Sequence, residues 1–65
     1  MKLEKRILET EIARRAMSYK SLANKAGVTE KTLYAARSGE EIRTATAGRI
    51  AAALGVDVEQ LTKEQ

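Results

Sequence analysis

The stretch Ser18-Tyr19-Lys20-Ser21-Leu22-Ala23-Asn24-Lys25-Ala26-Gly27-Val28-Thr29-Glu30-Lys31-Thr32-Leu33 decides how this chain folds. Ser18 can cap a helix through its side-chain oxygen, and Tyr19, Leu22, Ala23 and Ala26 follow at the intervals of one helical face. Gly27 ends the run, because glycine readily takes the left-handed conformation needed just past a helix. Thr29 can cap a third helix that carries Leu33 and Ala36 and stops at Gly39. Val28 and Leu33 point back into a core shared by the two helices, and Ala23 sits where they approach closely.

The same signals extend in both directions. A first helix is predicted over about residues 3–16, with Leu8, Ile12 and Ala16 at four-residue spacing and Ala13 and Met17 widening the stripe. Glu40, Glu41, Ile42 and Arg43 read as a surface loop. Thr44 or Thr46 caps a fourth helix carrying Ala47, Ile50, Ala51 and Leu54, closed by Gly55. Asp57 with Gln60 resembles a capping box for a short last helix holding Leu61. No β-branched run alternates apolar with polar residues, so strands find no support. The prediction is an all-α chain of five short helices in one domain over residues 1–65. Its predicted core is Leu8, Ile12, Met17, Leu22, Ala26, Val28, Leu33, Ala36, Ile50, Leu54, Val56 and Leu61. Without Phe or Trp that core is thin, which predicts marginal stability aided by a second copy or a ligand.

Composition removes whole classes of function. Cys and His are absent and Asp57 is the single aspartate. That leaves no disulfide and no thiolate, and a zinc site would need carboxylates alone. No nucleophile–base pair and no glycine-rich phosphate loop can be nominated, so no catalytic residue, metal ligand, cofactor or small-molecule substrate is assigned. Residues 1–15 are charged throughout, neither signal peptide nor membrane span, which leaves the cytoplasm as the expected compartment. The net charge of +3 is unevenly spread. Residues 14–49 hold eight basic and three acidic side chains, a net +5, while residues 1–13 sum to zero and residues 50–65 to −2. Positive charge gathers on the central unit, as contact with phosphates requires.

Helix, glycine turn and helix, closely connected, is the arrangement of a DNA-binding helix-turn-helix, whose second helix enters the major groove. The quoted run, continued by Ser38-Gly39 and by Ile50-Ala51-Ala52-Ala53-Leu54-Gly55-Val56, resembles the lambda-repressor/Cro-type helix-turn-helix family over about residues 8–61. The resemblance implies a compact five-helix lambda-repressor-like domain whose helix-turn-helix is formed by helices 2 and 3. It implies a sequence-specific, repressor- or Cro-like transcriptional regulator of prokaryotic or phage origin that binds double-stranded DNA. A recognition helix over about residues 30–38 would set Glu30 and Lys31 against base edges, with Tyr34 and Ala35 near the groove floor. Ser18, Tyr19, Lys20, Thr29, Thr32, Ser38 and Arg43 would meet the DNA backbone. Family members usually bind as two-fold dimers on palindromic sites, so a homodimer here would use the fourth and fifth helices or form only on DNA.

Chemistry allows these roles and also plainer ones. Lys31 can donate to guanine O6 or N7, or be an ordinary solvated lysine; Glu30 can accept from a cytosine amino group, or simply favour the helix dipole. Tyr34 can offer its ring to a thymine methyl and its hydroxyl to a phosphate, or fold over Ala35 or Thr44 at the edge of the core. Two features depart from the family. Many members pair an Arg in the first helix with a Glu near the end of the third; here those positions hold Ile12 and Arg37, which leaves Arg37 to reach Glu9, Glu11 or a phosphate. Glu40 and Glu41 place negative charge in a loop that is often basic, where phosphates would repel it unless the loop tilts away or Arg43 and Arg49 take over. The competing function is a protein-interaction module or antitoxin-like component on the same scaffold.

Overall fold

Leu8, Leu22, Leu33, Ile50, Leu54 and Leu61 are the large side chains almost wholly removed from solvent, and every helix contributes at least one. The computed structural model describes residues 1–62 and contains α1 (Lys5–Arg14), α2 (Tyr19–Ala26), α3 (Glu30–Arg37), α4 (Thr44–Leu54) and α5 (Val58–Thr62). α2 packs on α3 and α4, α1 on α3 and α5, and α4 on α5. Alanines fill the space between the aliphatics: Ala23, Ala26, Ala36, Ala47, Ala51 and Ala53 are buried. Met17, Val28 and Val56, expected inside, are only partly buried and pack against the core from its rim.

The rim positions follow from how the helices end. Gly27 has φ +74°, donates to the carbonyls of Ala23 and Asn24, and sends the chain into Val28, whose N–H also bonds the Ala23 carbonyl at 3.0 Å. This is a Schellman motif, in which the residue after the left-handed position folds back over the last turn. The same pattern closes α3 at Gly39 and α4 at Gly55, the latter bringing Val56 back over its helix. α1 ends the same way without a glycine. Ala16 has φ +53° and donates to Ala13, and the N–H of Met17 bonds the Ile12 carbonyl at 3.2 Å. α1 therefore stops at Arg14, and Ala16 is exposed instead of continuing the apolar stripe, as is Ala13 instead of widening it.

The helix starts also depart from expectation at three places. α4 begins at Thr44 with Arg43 as its N-cap and no side-chain cap, so neither Thr44 nor Thr46 serves. The preceding chain is already tied down: Ile42 donates to the carbonyl of Met1 at 2.8 Å, and the Met1 ammonium donates to the Ile42 carbonyl and to the Glu41 carboxylate. Burial of Ala47, Ile50, Ala51 and Leu54 fixes the rest of the register. Leu3, expected in the first helical turn, is instead buried in this extended N-terminal segment, which is also anchored by Glu4 N–H to the Leu61 carbonyl at 2.7 Å. At α5, Gln60 Oε1 accepts from the Asp57 N–H at 3.0 Å, while the Gln60 N–H goes to the Asp57 carbonyl, half of the predicted box.

A left-handed alanine costs about 1–2 kcal/mol, of which the entropy glycine adds to the unfolded chain returns about 0.4–1 kcal/mol. Ala16→Gly should therefore stabilise the chain by about 0.5–1 kcal/mol, and Gly27→Ala should destabilise it by a similar amount. Urea unfolding midpoints at constant m-value measure both signs; an Ala16→Gly variant no more stable than the parent refutes the account.

Candidate nucleic-acid interface

α3 buries Leu33 and Ala36 against the core, and at 100° per residue the opposite side of the helix carries Lys31, Tyr34, Ala35 and Ser38, with Glu30 at its edge. Tyr34 is 46% exposed, the one large hydrophobic side chain exposed among the described residues. Glu30 and Lys31 are exposed and form no ion pair among those residues. Ala35 is half-buried between this face and the core.

The residues predicted to meet a DNA backbone fall into two groups. Ser18 and Thr29 are N-caps, their hydroxyls accepting from the N–H of Ser21 at 3.0 Å and of Thr32 at 3.1 Å. Thr29 and Thr32 also share a hydroxyl–hydroxyl bond at 3.0 Å; if Thr32 donates it, the Thr29 proton stays free for an anion. Lys20 lies exposed in the first turn of α2, and Arg43 stands exposed at the N-cap of α4. Ser38 is less available, since its hydroxyl donates to the Tyr34 carbonyl at 3.0 Å and must turn to reach a phosphate. Arg49, on α4, holds its guanidinium over the turn between α2 and α3, 3.8 Å from where a Cβ on Gly27 would lie.

Tyr19 and Tyr34 do something the sequence reading did not foresee. They stack on each other, ring centroids 4.9 Å apart and planes within 4°. The Arg37 guanidinium carbon lies 5.9 Å from the Tyr19 ring centroid, and its Nε donates to Glu9 Oε2 at 2.7 Å. Tyr34 thus leans on α2 instead of on Ala35 or Thr44, and of the three partners open to Arg37 the structure selects Glu9. Glu11 is taken by Arg15 at 2.6 Å. The available signal was compositional: the chain has two aromatic residues in all, and they open α2 and sit in mid-α3 on helices that pack together.

Electrostatics follow the same contacts. The hydrogen bond from Arg37, reinforced by its charge, holds the Glu9 carboxyl below its ordinary range, and the Glu9 hydrogen bond raises Arg37 in return. Burial raises the Tyr19 hydroxyl above its ordinary value. Hydrogen bonding to the N-terminal ammonium lowers Glu41, so one of the two loop acids already has a cation beside it.

Residues 8–63 match a family model described as a Cro/C1-type HTH DNA-binding domain. Among solved structures, FeII HppE superposes with a TM-score of 0.78 at 31% identity, covering 91% of this chain and 32% of that one. Apo-HppE gives 0.77 at 31%, with 91% and 34% covered. Hydroxypropylphosphonic acid epoxidase from S. wedmorenis in complex with fosfomycin gives 0.76 at 31%, with 91% and 32% covered. The chain spans about a third of the length of these structures. No curated protein matches it. Among the described residues, no helix is long and apolar enough to cross a membrane.

The Glu9–Arg37 pair predicts an acid limb in stability. Because the native carboxyl lies below its ordinary 4.5, its contribution is complete above that pH and is lost as pH falls through the lower native value. Glu9→Gln should flatten that limb without altering the slope near neutrality; some acid loss will remain from Glu41. Urea midpoints stepped from roughly pH 2 to 7 check this, and superimposable wild-type and variant curves count against it.

Proposed function

The chain belongs to the Cro/C1-type helix-turn-helix DNA-binding family, and from that premise we propose that it is a sequence-specific transcriptional regulator, repressor- or Cro-like, that lays α3 in the major groove of duplex DNA. The observation that carries the proposal is the outward side of α3, where Lys31, Tyr34 and Ala35 stand opposite the buried Leu33 and Ala36. Lys31 donates to guanine O6 or N7, Glu30 accepts from a cytosine amino group, and Tyr34 and Ala35 meet thymine methyls. Ser18, Tyr19 and Lys20 hold a phosphate at the start of α2, where free amides and the helix dipole favour an anion. Thr29, Thr32, Ser38 and Arg43 hold the backbone elsewhere.

Arg43 supports this on its own account. An N-cap favours Ser, Thr, Asp or Asn, and a cation there opposes the dipole. Arg43 makes no cap bond in return, so its side chain is better explained by a phosphate than by the helix. Tyr34, the exposed hydrophobic, stands on the outward side of α3, the side this reading turns toward DNA, and on the same reading two copies come together on a two-fold operator with half-sites one helical turn apart.

A second reading draws on the 31% identity to a segment of an enzyme: the helices would serve as a protein-docking unit within a larger assembly. Duplex titrations at two salt concentrations separate the readings, because phosphate contact makes affinity fall steeply with salt.

Lys31→Ala should cost about 1–3 kcal/mol on a selected duplex and relax preference at one base position. Arg43→Ser should weaken all duplexes alike, reduce the salt slope by about one, and raise folding stability by about 0.5–1 kcal/mol through the new cap. Selection from a randomised duplex pool, followed by binding and melting measurements, tests these outcomes. An Arg43→Ser chain that is more stable yet binds duplex unchanged removes Arg43 from the interface.

A further inference from the structure

Four side chains from three helices form one continuous file: Glu9 on α1, Arg37 and Tyr34 on α3, and Tyr19 on α2. One end is an ion pair with one direct hydrogen bond, and the other is the exposed Tyr34 ring. We propose that Glu9 and Arg37 are positioning residues for base recognition: they hold Tyr19 in place, Tyr19 holds the Tyr34 ring by stacking, and the fixed ring selects a thymine methyl in the groove. This rests on α3 being the groove helix. It goes beyond that reading by making the α1–α3 ion pair a determinant of base preference, although neither Glu9 nor Arg37 need touch DNA.

A ring already ordered in the free protein favours binding. An exposed tyrosine that must be immobilised on binding loses affinity, whereas one already held loses little. Offset parallel rings are a favoured aromatic geometry, and a guanidinium attracted to a ring strengthens the hold. The Arg37 fork can bond Glu9 and meet the ring at once because it is planar. Exposed ion pairs add little to stability, and this one is 36% exposed at Arg37 and 40% at Glu9. Its effect is therefore to be sought in the pose of the rings.

The test compares Glu9→Gln with Glu59→Gln, which makes the same charge change on α5, away from the file. Both raise net charge by one, so electrostatics alone should strengthen binding equally to a duplex selected by the wild-type chain and to an unselected pool of the same length. In the free protein, ring-proton NMR signals of Tyr19 and Tyr34 should move in Glu9→Gln and stay in Glu59→Gln. The ratio of selected to unselected affinity should fall roughly three- to tenfold in Glu9→Gln only. Arg37→Gln should do the same, and Arg37→Lys, which keeps the charge but not the planar fork, should recover only part of the ratio. Unmoved ring signals in Glu9→Gln overturn the proposal whether or not DNA is bound. Moved signals with an unchanged ratio overturn the link to base choice. If the wild-type chain shows no preference among duplexes, the groove reading itself has failed, and the free-protein ring signals still report separately whether the file positions Tyr34.

Discussion

The bond from the Val28 N–H to the Ala23 carbonyl, closed around a left-handed Gly27, fixes the direction in which α3 leaves α2. With that direction set, Leu22 and Leu33 meet in the core and Thr29 falls at the N-cap of α3. The side of α3 remote from Leu33 and Ala36 then faces solvent. A β-carbon at Gly27 would strain the turn through its φ alone, because the nearest outside atom is the far end of the Arg49 side chain at 3.8 Å. The constraint is one of backbone conformation, not of space. In a domain with so few large core side chains, rigid turns carry much of the specification of the fold.

Glycine makes such a turn visible in sequence, and this accounts for where reading succeeded and where it failed. α2, α3 and the end of α4 were legible because Gly27, Gly39 and Gly55 mark their ends, and because Ser18 and Thr29 announce two starts by a chemistry that few residues share. α1 was overextended because its identical ending uses Ala16, which ordinarily signals helix. Leu3 and the cap of α4 were misassigned for a different reason. Both depend on the N-terminal segment pairing with residue 42, close to forty positions away, and local periodicity holds no record of such a contact. The family assignment and the exposed side of α3 needed only local information. The Tyr19–Tyr34 stack needed the packing angle of α2 on α3, which no spacing rule supplies.

The tie between α1 and α3 persists with its polarity reversed and its α1 end shifted, because Ile12, where the family sets a cation, is buried in the core and Glu9 stands about one turn before it. Where many relatives set a cation on the first helix and an acid near the end of the third, this chain has Glu9 on α1 and Arg37 on α3. An exposed pair adds little to stability in either orientation, so stability is nearly indifferent to the exchange. Surface charge is not. The reversed pair puts the cation on the helix that bears Lys31 and the anion on α1, and it brings a guanidinium to a tyrosine ring where a carboxylate would have met it. The Tyr19 partner and the reversed polarity are therefore linked, since an anion over an aromatic face is repelled by the same quadrupole that attracts a cation.

The acids of the 40–43 loop fit this distribution once the N-terminal segment is included. Glu41 is drawn to the Met1 ammonium and lies below the ordinary carboxylate range, so one of the two loop acids has a cation beside it. Two residues on, Arg43 occupies a cap position that its own chemistry does not favour. Local rules that are broken without a structural return tend to mark places where a chain serves a partner. Ala16 breaks a rule as well, but it belongs to a turn with its hydrogen bonds made, and its strain is explained within the fold. Arg43 has no such internal explanation, and that difference is what assigns it, and not Ala16, to the proposed interface.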